Sequence, residues 1–455
     1  MYRWMTRIVA GAVIAACSGA SADWAAASWG GARILDGYID AASGNARGEQ
    51  AFMSTSGFPS ERVMLGTSPY TASFPVARLR RANGTMTRPQ ALTSRHGLVA
   101  QAGSIGLDGR GTATALWTLR RAHALELYAS VRPRGGQFAR GSLIGAVASS
   151  SFHFDHVMRV APDGGAVVVW NGGDRIYVAQ RPPGRCPQNA PRACFGQPQT
   201  FSRCPAGIAD CLDSAFLQLA VGRGGRAFVA WPRVSRTGLG YRTGARLAVA
   251  RPGHRFGHSM AISEAPDVSI PADIALLRDG GAIVTWVRGA TLRRQRVMAA
   301  RFDRSGIRRV APSVLSATTC VDPRIRVDPQ DEVTIVWICD YDPGLESISI
   351  VAFGGPAFAP LTSGVALGRR DYASRDALGF DGAGNVVLVY SPDGNTSVTR
   401  LRPPGGTFGE PTPVPMLTGS RAPVELGGRL IEAGPRLTLL QTGEHATSQL
   451  RDWTP

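Results

Sequence analysis

Apolar residues along the chain fall into short runs separated by glycine, proline or acidic residues, and no run repeats with helical spacing. Six segments share one pattern: a short apolar strand, a polar or glycine-rich turn, then an apolar strand that ends in an aromatic residue. They are Ile105–Trp117, Val157–Trp170, Phe216–Trp231, Ile274–Trp286, Ile325–Trp337 and Leu378–Tyr390. The runs are rich in β-branched residues, which predicts strands. Val167–Trp170 and Thr334–Trp337 are almost continuously apolar, which predicts strands covered on both faces. A third strand follows each pair, as in Arg175–Gln180 and Ala245–Ala250. A turn and a short fourth strand come next, as in Pro198–Ser202.

Four antiparallel strands recurring about every 50 residues are the sequence form of a propeller blade. A four-stranded sheet cannot cover its own two faces, but blades stacked round an axis cover one another. The expected fold is therefore an all-β propeller, and the repeated Trp is expected to pack between blades. At the N-terminal side, Phe74–Leu79 and Gly84–Thr93 read as the second half of a blade. Val424–Gln441 reads as a first half, with Gln441 at the aromatic position. Joining the two closes the ring and counts seven blades, with six or eight also open. The pattern resembles that of secreted bacterial β-propeller repeat proteins, over residues 63–455. The Trp-Asp signature of WD40 repeats and the Asp-box of sialidases are absent, so the resemblance implies a fold and no activity.

Length alone, at 455 residues, would suggest about three domains, and the repeat replaces that expectation with one. Residues 23–62 are poorly patterned. Residues 1–22 read as an export signal: Arg3 and Arg7, an apolar stretch Ile8–Ala16, and the small residues Ala20-Ser21-Ala22. Ile14-Ala15-Ala16-Cys17 resembles the bacterial lipobox, which would make Cys17 an acylated N-terminus. Either reading places the protein outside the cytoplasm, secreted or lipid-anchored. No later run reaches the ~18 apolar residues of a membrane helix. Setting Cys17 aside leaves six cysteines, and the spacing favours Cys186–Cys194, Cys204–Cys211 and Cys320–Cys339. The last pair is equidistant from the turn at Asp328-Pro329-Gln330-Asp331, so the two residues should face each other across a hairpin.

Candidate chemistry is sparse. The chain has no lysine, which excludes a P-loop lysine, a Schiff-base lysine and a Ser-Lys dyad. Insertions cluster on the face bearing the loops between second and third strands. They nominate Arg233, Arg236, Tyr241 and Arg242 in one blade, and Asp340 and Asp342 in another, as binding residues. Acidic residues recur where inner strands begin: Asp155, Asp213, Asp273, Asp322, Asp376 and Glu425. Crowded round a channel, they would need Ca²⁺, arginine or raised pKa values to offset their repulsion. His153, Asp155 and His156 have metal-ligand side chains, but a strand puts His156 on the far side from the other two. The net charge of +17, on an exported chain, favours an anionic envelope polymer, glycan or partner protein over nucleic acid. The leading expectation is a monomeric binding or scaffold propeller. The alternative is a carbohydrate-active hydrolase or lyase.

Overall fold

The protein is described by a computed structural model. It describes residues 28–29, 33–36, 38–65, 68–93, 98–121, 124–148, 156–172, 175–184, 195–203, 216–237, 240–263, 268–289, 294–316, 320–339, 347–354, 359–360, 365–369, 377–392, 396–414, 429–442 and 447–454. Among these the strands form eight antiparallel sheets, each built on four strand positions. The third blade is typical: His156–Val160, Ala166–Asn171, Arg175–Arg181 and Gln199–Arg203, paired in that order. The inner strands of blades one to eight are Tyr38–Gly44, Leu98–Leu107, His156–Val160, Gln218–Val221, Val268–Leu276, Cys320–Val327, Ala377–Phe380 and Arg429–Ala433. Each inner strand touches the next, and the eighth touches the first, so the ring is closed. No described helix is long and apolar enough to cross a membrane.

The described strands fall into eight sheets, the eight-bladed alternative rather than the seven counted from the sequence. Phe74–Leu79 does not join the C-terminal strands. It lies in Ser68–Arg80, the third strand of a complete first blade whose second strand is Gln50–Leu65. That second strand was hidden because its polar and proline-containing stretch breaks alternation, with a register shift between Gly57 and Arg62. Ser54, buried, stands where other blades carry the aromatic residue. The expected closure by the two termini does hold, with other partners. Ser28–Trp29 and Arg33–Asp36 both pair with Thr447–Thr454, the third strand of the eighth blade. The N-terminal side thus supplies the outermost strand of a blade whose other three strands are C-terminal.

Packing explains why the sequence takes this form. Every interface between successive blades has its own apolar cluster, and there are eight. Trp117, Trp170, Trp231, Trp286, Trp337 and Tyr390 are all buried, each within one of these clusters. Trp231 of blade four, for instance, packs on Val167, Val169, Ile176 and Val178 of blade three. Second strands are covered on both faces, as the continuous apolar runs predict: every residue of Ala166–Asn171 is buried.

The turns between first and second strands repeat one device. Asn45, Asp108, Asp328 and Asp381 each accept, on a single side-chain oxygen, the amides two and four residues later. The left-handed position in these turns is filled by Gly48, Gly111 and Gly384, and by Asp331 in the sixth blade. The turns also tie neighbours together. Asn45 donates to the Asp108 carbonyl at 3.0 Å, Gly109 N–H to the Pro162 carbonyl at 2.7 Å, and Arg278 N–H to Asp331 at 2.9 Å. Buried arginines cross the interfaces next to them: Arg181 donates to Thr114 and Arg402 to Thr334, each at 2.8 Å.

Cys320 and Cys339 are cross-strand partners and form a disulfide. The turn at that hairpin closes between Asp328 and Glu332, one residue later than a four-residue turn would. A bulge between Val321 and Arg324 restores the register at the cysteines. Cys186, Cys194, Cys204, Cys211 and Cys17 lie outside the described residues.

Ring closure has its own polar clamp. Arg80 of blade one donates to both carboxylate oxygens of Asp452 in blade eight, at 2.7 and 2.6 Å, and Gln50 donates to Thr438 at 2.8 Å. Burial acts to raise the Asp452 pKa, but Arg80 and Thr438 outweigh it and the net direction is down. Its stabilising contribution is therefore present above the ordinary aspartate range, near 3.8, and is lost as pH falls through and below it. Asp452→Asn strands the buried Arg80 guanidinium and should cost roughly 2 kcal/mol at pH 7, read from urea denaturation, with the deficit narrowing toward pH 3. An unchanged midpoint at pH 7 would contradict the clamp. Reducing the Cys320–Cys339 bridge, which spans 19 residues, should cost about 3 kcal/mol by the loop-entropy argument, measured in the same way.

Candidate functional site

With both sheet faces packed between blades, the residues of an inner strand that still meet solvent border the central channel. In the sixth blade, exposed Asp322, Arg324 and Arg326 alternate with buried Pro323 and Ile325. Arg159 of the third blade and Glu432 of the eighth are exposed in the same way. Inner strands carry register shifts in blades one, two, five and six, at Asp40, at Gly103-Ser104, beside Asp273 and at Asp322-Pro323. Such bulges re-aim side chains, and three of the four place an acid at the channel.

An inner strand has one unpaired edge, and the acids serve it. Asp273 accepts the N–H of Ile325 in the next blade at 3.0 Å and its neighbour's Ile274 N–H at 2.9 Å. Glu432 accepts the Phe380 N–H at 2.9 Å, and Ser43 accepts the Leu107 N–H at 3.2 Å. The strand edges that a flat sheet would expose are thus partly capped by side chains of the adjacent blade.

Arginine supplies the compensating charge. Arg326 lies 3.5 Å from the Asp273 carboxylate and donates to the Ile325 carbonyl at 2.7 Å. Arg324 pairs with Asp322 at 3.1 Å. Glu432 meets solvent at the channel, yet the protein packed round its carboxyl displaces enough water to raise its pKa above the ordinary range, and the charge of Arg326 and the Phe380 N–H act against that rise. One guanidinium therefore lies beside the Asp273 carboxylate and close enough to Glu432 for its charge to act on that carboxyl.

His156 begins the inner strand of blade three. Its ring nitrogens are enclosed, and burial lowers its pKa to about 4, so it is neutral at pH 7. The enclosure depends on Gly103 in the second blade, where a Cβ would lie 2.6 Å from Nε2 and 1.9 Å from the Leu116 carbonyl oxygen.

The structure redistributes the residues nominated by sequence. Asp273 and Asp322 are at the channel, held by strand amides and arginine. Among the described residues no three His, Cys, Asp or Glu side chains group to hold a metal ion. Arg233 is exposed, and its charge is felt by Arg246. Arg236, Tyr241 and Arg242 are not in a loop. Ala227–Thr237 and Gly240–Ala250 stay paired to their ends, with Arg236 opposite Tyr241 and Ser235 opposite Arg242, so the insertion continues the two strands as a paired ribbon. Blade one carries a longer ribbon, paired from Gln50 to Leu65. Asp155, Asp213, Asp340, Asp342, Asp376, Glu425 and His153 lie outside the described residues. Glu432 was missed because the eighth inner strand begins at Arg429, later than its apolar pattern suggested. Asp40 was missed because its strand lies in the poorly patterned stretch.

The sequence matches no protein-family model and no curated protein. Among solved structures the chain is similar to the polysaccharide lyase Uly1, with 12% identity and a TM-score of 0.49 over 80% of this chain and 92% of that one. It is similar to a PL25 ulvan lyase, with 9% identity and a TM-score of 0.43 over 81% and 96%. It is also similar to Hadza microbial sialidase Hz136, with 12% identity and a TM-score of 0.39 over 92% and 94%. At these identities the likeness is one of fold alone, and the class that fold and channel define is a β-propeller with a charged axial channel.

The coupling across the channel is measurable. Removing the positive charge in Arg326→Gln should raise the Glu432 pKa further, read from its carboxyl carbon in an NMR titration. A pKa that stays put or falls would separate the two residues.

Proposed function

We propose that the protein is an exported, carbohydrate-active β-propeller that cleaves glycosidic bonds of an acidic glycan at its central channel. The observation that carries this reading is the set Asp273, Arg326 and Glu432. Glu432, with its raised pKa, is suited to deliver its proton to the oxygen of the leaving sugar as that bond breaks, while a water molecule adds at the anomeric carbon and gives up its own proton to solvent. Arg326 is suited to receive the carboxylate of a uronate unit, since a guanidinium offers a two-pronged donor to that group. Asp273, fixed by two backbone N–H groups, is suited to position Arg326, 3.5 Å away. The net charge of +17 supports an anionic substrate over a neutral one.

The test is turnover of polygalacturonate and alginate beside neutral dextran, followed by new reducing ends and by the ultraviolet absorbance of unsaturated uronate. Cleavage of an acidic polymer is expected, falling about 10²–10⁴-fold in Glu432→Gln while the thermal midpoint is retained. Binding of the polymers with no product from any of them would leave a binding propeller and overturn the enzymatic reading.

A further inference from the structure

A second feature lies at the periphery, on the face that carries the turns between first and second strands. A cavity of about 550 Å³ sits between blades four and five. It is lined by Arg226, Arg251 and His254 of blade four and by Asp303, Arg304 and Arg309 of blade five.

The charges in it do not balance. Asp303 is committed to its own turn and to Arg309: it accepts from Ser305 and Ile307 amides at 2.8 and 2.9 Å and pairs with Arg309 at 2.6 Å. Asp279, whose charge also reaches Arg226, takes Arg301 at 2.7 Å and the Gly281 N–H. Arg226, Arg251 and Arg304 are left facing one another. Arg226 is half-buried and is held in place by a bond from its Nη1 to the Arg304 carbonyl. Burial lowers its pKa first, and the charges of Arg304 and Arg251 lower it further, with Asp279 acting in the other direction. Elsewhere the fold finds partners for its buried arginines, as at Arg80 and Arg402. Here the anchored, half-buried Arg226 and the exposed Arg251 and Arg304 line one concavity with no acid given to them.

We propose that this cavity is an anion site that takes a tetrahedral oxyanion, a sulfate ester or phosphate carried on a polymer, between Arg226, Arg251 and Arg304. Several guanidiniums converging from two blades match the geometry of three or four equivalent oxygens better than that of a planar carboxylate. The cavity has room for the sugar or glycerol unit that bears the group. The site stands apart from the channel and does not rest on the reading of Glu432.

Calorimetric titration of the full chain with dextran sulfate, with a linear polyphosphate and with uncharged dextran tests it. The charged polymers should bind and dextran should not. Arg251→Glu/Arg304→Glu should weaken binding by about tenfold or more and flatten its salt dependence, because fewer counterions are released. The control Arg47→Glu/Arg110→Glu makes the same change in net charge at exposed turns of blades one and two, and should leave affinity within about twofold. Preference for dextran sulfate would assign the site to sulfate esters, and preference for polyphosphate to phosphates. Equal losses in both double variants would reduce the effect to net charge and overturn the proposal, as would no binding by the parent protein.

Discussion

Everything in this molecule depends on the fact that a four-stranded blade has two apolar faces and can cover neither alone. Burial of apolar area is worth roughly 25 cal/mol per Å², and it is gained here only when a neighbouring sheet lies against the blade. Eight clusters at eight interfaces are the result. A linear stack would leave two faces bare, so closure is a requirement of the same interaction. The pairing of Ser28–Trp29 and Arg33–Asp36 with Thr447–Thr454 joins the chain ends by strand hydrogen bonds. The cluster of Ile39, Phe52, Ile431, Leu440 and Leu450 then closes the last interface by packing.

That constraint is also what made most of the fold legible in the sequence. Strands buried on both faces have little room for polar residues, so Ala166–Asn171 and Val333–Cys339 announce themselves as apolar runs with an aromatic in register. The first blade was not legible because it departs from the pattern at the informative places. Ser54 replaces the aromatic residue, and Pro59 and Glu61 interrupt the long second strand at its register shift between Gly57 and Arg62, where apolar alternation and its signal are lost. The Cys320–Cys339 bridge was legible from symmetry about the turn, although the turn is one residue longer and a bulge at Asp322-Pro323 compensates.

The channel was half legible. An acid at the inner strands was visible in composition, and its purpose was not. Asp273 and Glu432 satisfy amides on the unpaired edges of neighbouring blades, a role that exists only once the ring brings those edges together. Arg326 lies beside the Asp273 carboxylate and acts by its charge on Glu432, and the absence of lysine makes such a partner a planar, multidentate donor. The same residue type then supplies both kinds of site: Arg326 beside Asp273 at the channel, and Arg226, Arg251 and Arg304 lining the cavity at the rim.

Native-state hydrogen exchange tests the closed ring most directly. The amides of Arg436–Thr442, in the blade assembled from both ends of the chain, should be protected to the same extent as those of Ala166–Asn171 in a blade made of one continuous segment, because both open only when the ring does. Exchange at Arg436–Thr442 faster by orders of magnitude would mean that the terminal blade opens by itself and that closure does not hold the structure together.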